Sequence, residues 1–383
     1  MSVYLDYNAT TPIDPNVLDV MVDVFKNCPG NPDSRTHVFG DQAREVVETA
    51  RGQVASLLGV QNSEVFFTAG ATESNNIAIQ GLQEYAEKTG KKHIITTSIE
   101  HKAVLNTAKH MQEIGYDVEF VSPDDSGAVS AKDVLSRVRE DTLLVSVMHV
   151  NNETGIIQPV QEIGEELDRR NVLFHVDATQ SCGKLVDELR RLKYDMLSFS
   201  AHKFNGPQGI GGLILRRKKY KLPPVKSVYY GGQQEHGIRP GTTPVALVAG
   251  MGAACELAEK NYREHAEKCR AIKEELYKIL EKSGIDYIFN GDQSICIPSS
   301  MNICFRGVSS EALMISTKQY CALSNGSACT SKSYDPSYVL VAMGLDTDRI
   351  QSSLRISWGA NTDLSVVYAE FSKVLEVAKA MVE

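Results

Sequence analysis

Lys203 closes a run in which an apolar segment gives way to small polar residues, a histidine and an amine: Ser198-Phe199-Ser200-Ala201-His202-Lys203. Tyr194 to Phe199 reads as a buried strand, so Lys203 falls at the mouth of a sheet. A lysine there can form a Schiff base with a carbonyl compound; the alternative is a surface lysine beginning a turn. Gly206, Gly209, Gly211 and Gly212 follow, and glycines at that point would let backbone approach a ligand without a Cβ in the way. Thr68-Ala69-Gly70-Ala71-Thr72-Glu73 joins a strand to a helix and offers the free N–H groups of a helix start to an anion such as phosphate. An ordinary Ser/Thr-type N-cap is the other reading. Asp177, in His175-Val176-Asp177-Ala178-Thr179-Gln180, ends a further strand. A carboxylate there keeps a pyridine nitrogen protonated, or else caps a turn or pairs with a surface lysine.

Lys203, Asp177 and the Gly70–Thr72 turn would supply the Schiff base, ring-nitrogen partner and phosphate cradle of a pyridoxal 5′-phosphate site. Ile99-Glu100-His101 and His149-Val150-Asn151-Asn152-Glu153 end two more strands and fit the same pocket, whereas His110 and His265 read as structural. Cys329 stands apart. Its segment, Ser324 to Ser333, is small, polar and expected to be mobile, so its thiol is either an exposed, ionisable nucleophile or an incidental surface cysteine.

The elements that must position these groups alternate. Strands are expected at 64–68, 93–99, 117–121, 142–150, 172–176 and 195–199, with helices at 15–30, 42–58, 72–88, 103–114, 131–139 and 160–170. Such alternation predicts a mainly parallel sheet covered by helices on both faces. From about Ala246 the pattern changes to a long helix reaching Lys282, strands at 301–305 and 354–357, and helices at 310–318 and 364–381. This predicts a large α/β domain over 15–250 and a smaller α+β domain formed by 1–14 and 251–383.

The bulk composition excludes several classes. The chain has 383 residues, 42% hydrophobic and 23% charged, with a net charge of −8. The densest basic run, Arg216 to Lys219, reads as a solvated turn, so no direct nucleic-acid binding is expected. No stretch approaches the ~18 apolar residues of a membrane span, and no signal-like N-terminus appears, which predicts a cytoplasmic protein. The eight cysteines include no C-x-x-C pair, which argues against both a zinc site and a disulfide framework. No metal ligands are expected.

Over nearly its whole length the chain resembles the NifS/IscS-type cysteine desulfurases. The resemblance rests on Tyr4–Pro12, Gly70–Ser74, Glu100–Val104, Met148–Glu153, His175–Gln180, Ser200–Lys203, Arg239–Thr242 and Ser327–Ser331. It implies the pyridoxal-phosphate-dependent transferase fold of type I, with a seven-stranded sheet in the large domain. It implies conversion of L-cysteine to L-alanine, with sulfur passing to an enzyme persulfide and then to an acceptor protein. By that resemblance Lys203 would carry the cofactor and move the substrate Cα proton. Asp177 would pair with the ring nitrogen, Gln180 would contact the ring oxygen and His101 would stack on the ring. Ala71, Thr72, Ser200 and His202 would hold the phosphate, joined by Thr242 from a second subunit of a homodimer. Asn152 and Arg355 would grip the substrate carboxylate, and Cys329 would accept the sulfur.

The chain departs from the family pattern at Pro240 and Asn325, where serines are usual. It ends at Glu383, where IscS enzymes carry a longer tail, which tilts the expectation towards a specialised acceptor like that of the DndA branch in DNA phosphorothioation. Iron–sulfur assembly is the other acceptor class. A different enzyme of the same fold, an aminotransferase or selenocysteine lyase, is the alternative activity.

Overall fold

The structure is a computed structural model, and it describes residues 2–326 and 336–382. After the short β1 (Val3–Tyr4), the large sheet is built from β2 (Val65–Thr68), β3 (His93–Thr97), β4 (Asp117–Val121) and β5 (Thr142–Met148). It is completed by β6 (Leu173–Asp177), β7 (Met196–Ser200) and β8 (Gly211–Leu215). The spatial order of these seven strands is β2-β8-β7-β6-β5-β3-β4. Strands β3 to β7 run parallel, and β8 is antiparallel to both β7 and β2. This is the mainly parallel sheet that the sequence implied.

Alternate residues of one strand enter different cores, which is why these strands are apolar throughout. Val145 and Val147 pack into the cluster on one face and Leu144 into the cluster on the other. Helix Pro15–Asn27 shows how local sequence sets the ends: Asp14 accepts a 2.8 Å bond from the Asn16 N–H, and Pro15 occupies the first turn, where no N–H partner is needed.

Two expectations need correction. The single helix expected over 72–88 is two helices, Ala71–Gln80 and Gln83–Thr89. Gly81 breaks it, because the Lys226 N–H donates to the Gly81 carbonyl at 2.8 Å. A Cβ at Gly81 would lie 2.6 Å from the Lys226 carbonyl oxygen. The glycines after Lys203 were expected to admit a ligand, but Gly211 and Gly212 instead begin β8 and admit protein. A Cβ at Gly212 would meet the Phe199 ring at 2.3 Å, and one at Gly211 would meet the Gly70 Cα at 2.7 Å. Gly209 alone of the group borders the large cavity described below.

Helix Val245–Ser283 has 39 residues, about 58 Å at 1.5 Å per residue. Its first part, with Val248, Met251 and Cys255, packs under the large sheet. Its last part, with Ile272, Leu276 and Leu280, packs against a second core. That core is formed by the antiparallel sheet of β9 (Tyr287–Phe289), β10 (Ser300–Phe305) and β12 (Ser353–Ser357), in the order β12-β10-β9. The chain start joins it, since β1 pairs in parallel with β11 (Cys321–Ala322) and Asp6 bridges to Ser357. Among the described residues no helix is long and apolar enough to cross a membrane.

The contact of Gly70 with Gly211 predicts that Gly211→Ala, where the new methyl meets rigid backbone, loses about 1–3 kcal/mol of stability. Urea unfolding checks this, and an unchanged midpoint would contradict the close-approach role.

Candidate active site

The carboxyl ends of β5, β6 and β7 open into a cavity of about 930 Å³, and the sequence singled out much of its wall. Ala71, Thr72, His101, Asn152, Asp177 and Gln180 line it. So do Ser200, His202, Lys203 and Arg355, the last brought in by β12 from the far end of the chain. Thr242 is exposed and does not line the cavity of its own chain. Cys329 lies outside the described residues, but Gly326, three positions before it, is part of the wall.

Lys203 ends the 3₁₀ turn Ala201–Lys203 that follows β7. Its Nζ donates to the carbonyls of Asn8 and Ala9, both at 2.7 Å. The partner segment is itself fixed: the Thr11 N–H and hydroxyl both donate to the His202 carbonyl, at 2.9 and 3.0 Å, and the Asp14 N–H donates to the Asn205 carbonyl at 2.9 Å. Spacing in the sequence could not have assigned Asn8 this role, because the contact spans 195 residues.

Asp177, at the end of β6, is 4% exposed. One carboxylate oxygen accepts from Asn75 Nδ2 at 2.8 Å, and the other accepts from the Thr179 N–H at 2.9 Å and from the Thr179 hydroxyl. These donors fix the orientation of the carboxylate. Asn75 was not foreseen. Its signal was its place one turn into the helix that starts at Ala71, which aims it back at the strand ends.

Helix Ala71–Gln80 starts at Gly70, whose φ of 155° lies at the edge of the glycine-favouring region, and no side chain caps it. The Ser/Thr cap is therefore not the arrangement present. Thr68 instead bonds Ser74 through their hydroxyls at 2.8 Å, leaving the helix start facing the cavity with Ser200 and His202 beside it. Burial and the neighbouring Lys203 charge push His202 down to about 4, so it is a neutral imidazole there. His101 is also lowered, chiefly by burial. Its Nδ1 accepts from the Ala103 N–H at 3.1 Å, so the neutral ring carries its proton on Nε2.

Arg355 is 5% exposed. Its Nη2 donates to Asp6 at 2.6 Å and its Nη1 to the Asn152 carbonyl at 3.0 Å, while its buried Nε has no partner. The Asn152 side-chain oxygen is likewise buried without a partner. One edge of the guanidinium is thus held by protein, while among the described residues Nε and the Asn152 side-chain oxygen are unmatched, on two residues that line the cavity.

Two carboxyls in the strand-end stretches that the sequence assigned to this pocket have a property that the sequence does not show. Glu100 is fully buried and burial raises its pKa to about 8. Glu153, hydrogen-bonded by Ser337, is raised to about 7 for the same reason. Glu100 is therefore largely uncharged near neutrality, and Glu153 about half so.

The donor set fits pyridoxal phosphate. An uncapped helix start with a serine and a neutral histidine suits the phosphate, an oriented carboxylate suits the ring nitrogen, and a lysine amine stands between them.

Comparison with known proteins agrees. The aminotransferase class-V family profile matches residues 3–368. A cysteine desulfurase IscS from Photorhabdus laumondii is 44% identical over 373 residues, covering 96% of this chain and 91% of that protein. A solved NifS-like protein superposes with a TM-score of 0.91 at 36% identity, covering 99% of this chain and 100% of the other. DndA from Streptomyces lividans superposes with a TM-score of 0.81 at 40% identity, covering 92% and 98%. An α/β fold that gathers a lysine, an aspartate and an open helix start at one sheet edge, in a chain this similar to desulfurases throughout, belongs to the class-V aminotransferase family and, within it, to the NifS/IscS-type cysteine desulfurases.

Proposed function

We propose that this enzyme is a pyridoxal-phosphate-dependent cysteine desulfurase: it converts L-cysteine to L-alanine, keeps the sulfur on Cys329 as a persulfide and delivers it to an acceptor protein. The observation that carries the reading is the convergence of Lys203, Asp177, the Gly70–Thr72 helix start and Arg355 on one cavity.

Ala71, Thr72, Ser200 and His202 would hold the cofactor phosphate, Asp177 would pair with its ring nitrogen, Gln180 would contact its ring oxygen, and His101 would stack on its ring. When bound, the cofactor supplies an electron sink for the substrate's Cα. Arg355 and Asn152 orient the substrate, the free guanidinium edge taking its carboxylate. Lys203 moves the Cα proton, and the two carbonyls of Asn8 and Ala9 hold its amine in place. Cys329, as thiolate, takes the substrate sulfur: a new S–S bond forms at Cys329 as the substrate C–S bond breaks.

The same reading takes residues 15–250 as the cofactor domain, and 1–14 with 251–383 as the domain that brings Arg355 and Cys329. It places Thr242 in the phosphate site of a second copy. Its exposed position supports this, as do the exposed Leu18, Phe25, Val38 and Phe39, a hydrophobic surface suited to a homodimer. We place the enzyme in the cytoplasm, where free thiols persist. The acceptor is an iron–sulfur scaffold or a DNA-modification partner, since the chain is similar both to an IscS and to a DndA.

The enzyme loaded with pyridoxal phosphate is expected to show a visible absorbance that Lys203→Ala lacks, together with cysteine-dependent alanine release that Lys203→Ala loses. A Lys203→Ala protein that still turned over cysteine would sink the reading. In Cys329→Ser the absorbance should remain while persulfide formation, followed by a thiol-labelling assay, disappears. Full turnover in that variant would point to a lyase or aminotransferase instead.

Glu100 predicts a pH effect. Its folded pKa, about 8, exceeds the ordinary 4.5, so the folded state retains a proton that the unfolded state gives up. Its stabilising contribution is full below pH 4.5 and is lost progressively as the pH rises to about 8. Unfolding of Glu100→Gln as a function of pH should therefore show a flatter decline than the native protein over that window.

A further inference from the structure

Lys184 has no part in the reading above, yet it lies between the catalytic cavity and a second, smaller one. That second pocket, about 190 Å³, sits where the long helix Val245–Ser283, the segment 183–185 and the loop 358–361 meet. Lys184 lines it together with Tyr7, Asp14, His265, Cys269 and Lys203, so the Schiff-base lysine borders both spaces. Lys184 is partly buried, burial lowers its amine to about 8, and its hydrogen-bond partner is an amide rather than a carboxylate: Nζ donates to Gln180 Oε1 at 3.4 Å.

The donor and acceptor types along this contact leave one consistent arrangement. An ammonium only donates, so Gln180 must turn Oε1 towards Lys184. A main-chain carbonyl only accepts, so Gln180 must turn Nε2 towards Asn8, whose oxygen it meets at 2.9 Å. The same Asn8 oxygen accepts from Lys203 Nζ at 2.7 Å. Lys184, Gln180, Asn8 and Lys203 therefore form one hydrogen-bonded string with donors and acceptors matched at each contact. The second N–H of Gln180 is left for the catalytic cavity, which Gln180 lines.

We propose that Lys184 is a positioning residue for the reaction, acting through Gln180 and the Asn8 carbonyl to orient the Gln180 amide and the amine of Lys203. The inference rests on the assignment of Lys203 as the cofactor lysine. Without the ammonium, Gln180 can rotate its amide, present an oxygen to the cavity and withdraw its donor from Asn8. Removing the positive charge also eases protonation of the nitrogen at Lys203, because like charges disfavour one another. The other groups that bear on Lys184 are the thiols of Cys182 and Cys269, which oppose its downward shift, and Asp14 and His265 across the pocket.

The test is a pH titration of the visible absorbance of the protein loaded with pyridoxal phosphate, for the native enzyme, Lys184→Met and Lys184→Arg. Thermal unfolding is measured on each. The titration midpoint of Lys184→Met should move upward by about 0.5 pH unit, roughly a threefold change in proton affinity. Lys184→Arg, which keeps a donor cation, should return it to the native value. A midpoint that stays put or moves downward in Lys184→Met, even with a lowered melting temperature, would mean that Lys184 is only structural and would overturn the proposal. If Lys184→Met does not load, Lys184→Gln is read by the same criterion. A native protein with no visible absorbance would instead refute the cofactor assignment of Lys203, so the two failures are distinguishable.

Discussion

The Lys203 ammonium, bonded to the carbonyls of Asn8 and Ala9, joins parts of the chain that share no local structure. On one side stands β7, buried on both faces and fixed by its neighbours in the sheet. On the other is the N-terminal segment, which runs on from β1 and is pinned to the small sheet by the bridge from Asp6 to Ser357. The amine needs acceptors, and this returning strand of backbone supplies two of them. Lys203 is therefore placed by the packing of the chain's two ends as much as by the strand it follows.

Charge is arranged around that contact with economy. Asp177 accepts from Asn75 and Thr179, while burial pushes Glu100 and Glu153 towards neutrality. Arg355 pairs with Asp6. A buried pair of this kind adds little net stability, but removal of one partner leaves an uncompensated charge and costs about 3–5 kcal/mol. The pair therefore reads as a device for orienting the guanidinium, with an edge left for a carboxylate, more than as a source of stability. The two histidines in the wall are both lowered for a common reason, burial near the Lys203 charge.

Much of this was legible in advance. Apolar strands ending in Asp177, Lys203 and Asn152 announce a sheet edge with polar groups at it, because a buried strand must be apolar and its functional residues can appear only where it stops. The helix start at Gly70 was legible for a similar reason, since a strand–turn–helix junction exposes N–H groups whatever the tertiary context. The glycines after Lys203 misled. Their spacing speaks of close approach, but it does not say to what, and Gly211 and Gly212 turned out to admit the Gly70 backbone and the Phe199 ring. The break at Gly81 was hidden for the same reason, because it depends on Lys226, far along the chain.

Sequence alone supplied the candidate reacting groups, Lys203 and Asp177 at the sheet edge and Cys329 outside the described residues, because reactivity belongs to side-chain type and strand ends are set by local hydrophobicity. Tertiary structure alone decided how the first two are held: which carbonyls receive the amine, which donors meet Asp177, and which neighbouring carboxyls are pushed towards neutrality. Those properties depend on burial and on partners scores to hundreds of residues away, and no local pattern encodes them. Arg355 shows the division most plainly. Its type suits a carboxylate, but only the meeting of β12 with the N-terminal segment gives it Asp6 on one edge and leaves Nε unmatched on the other.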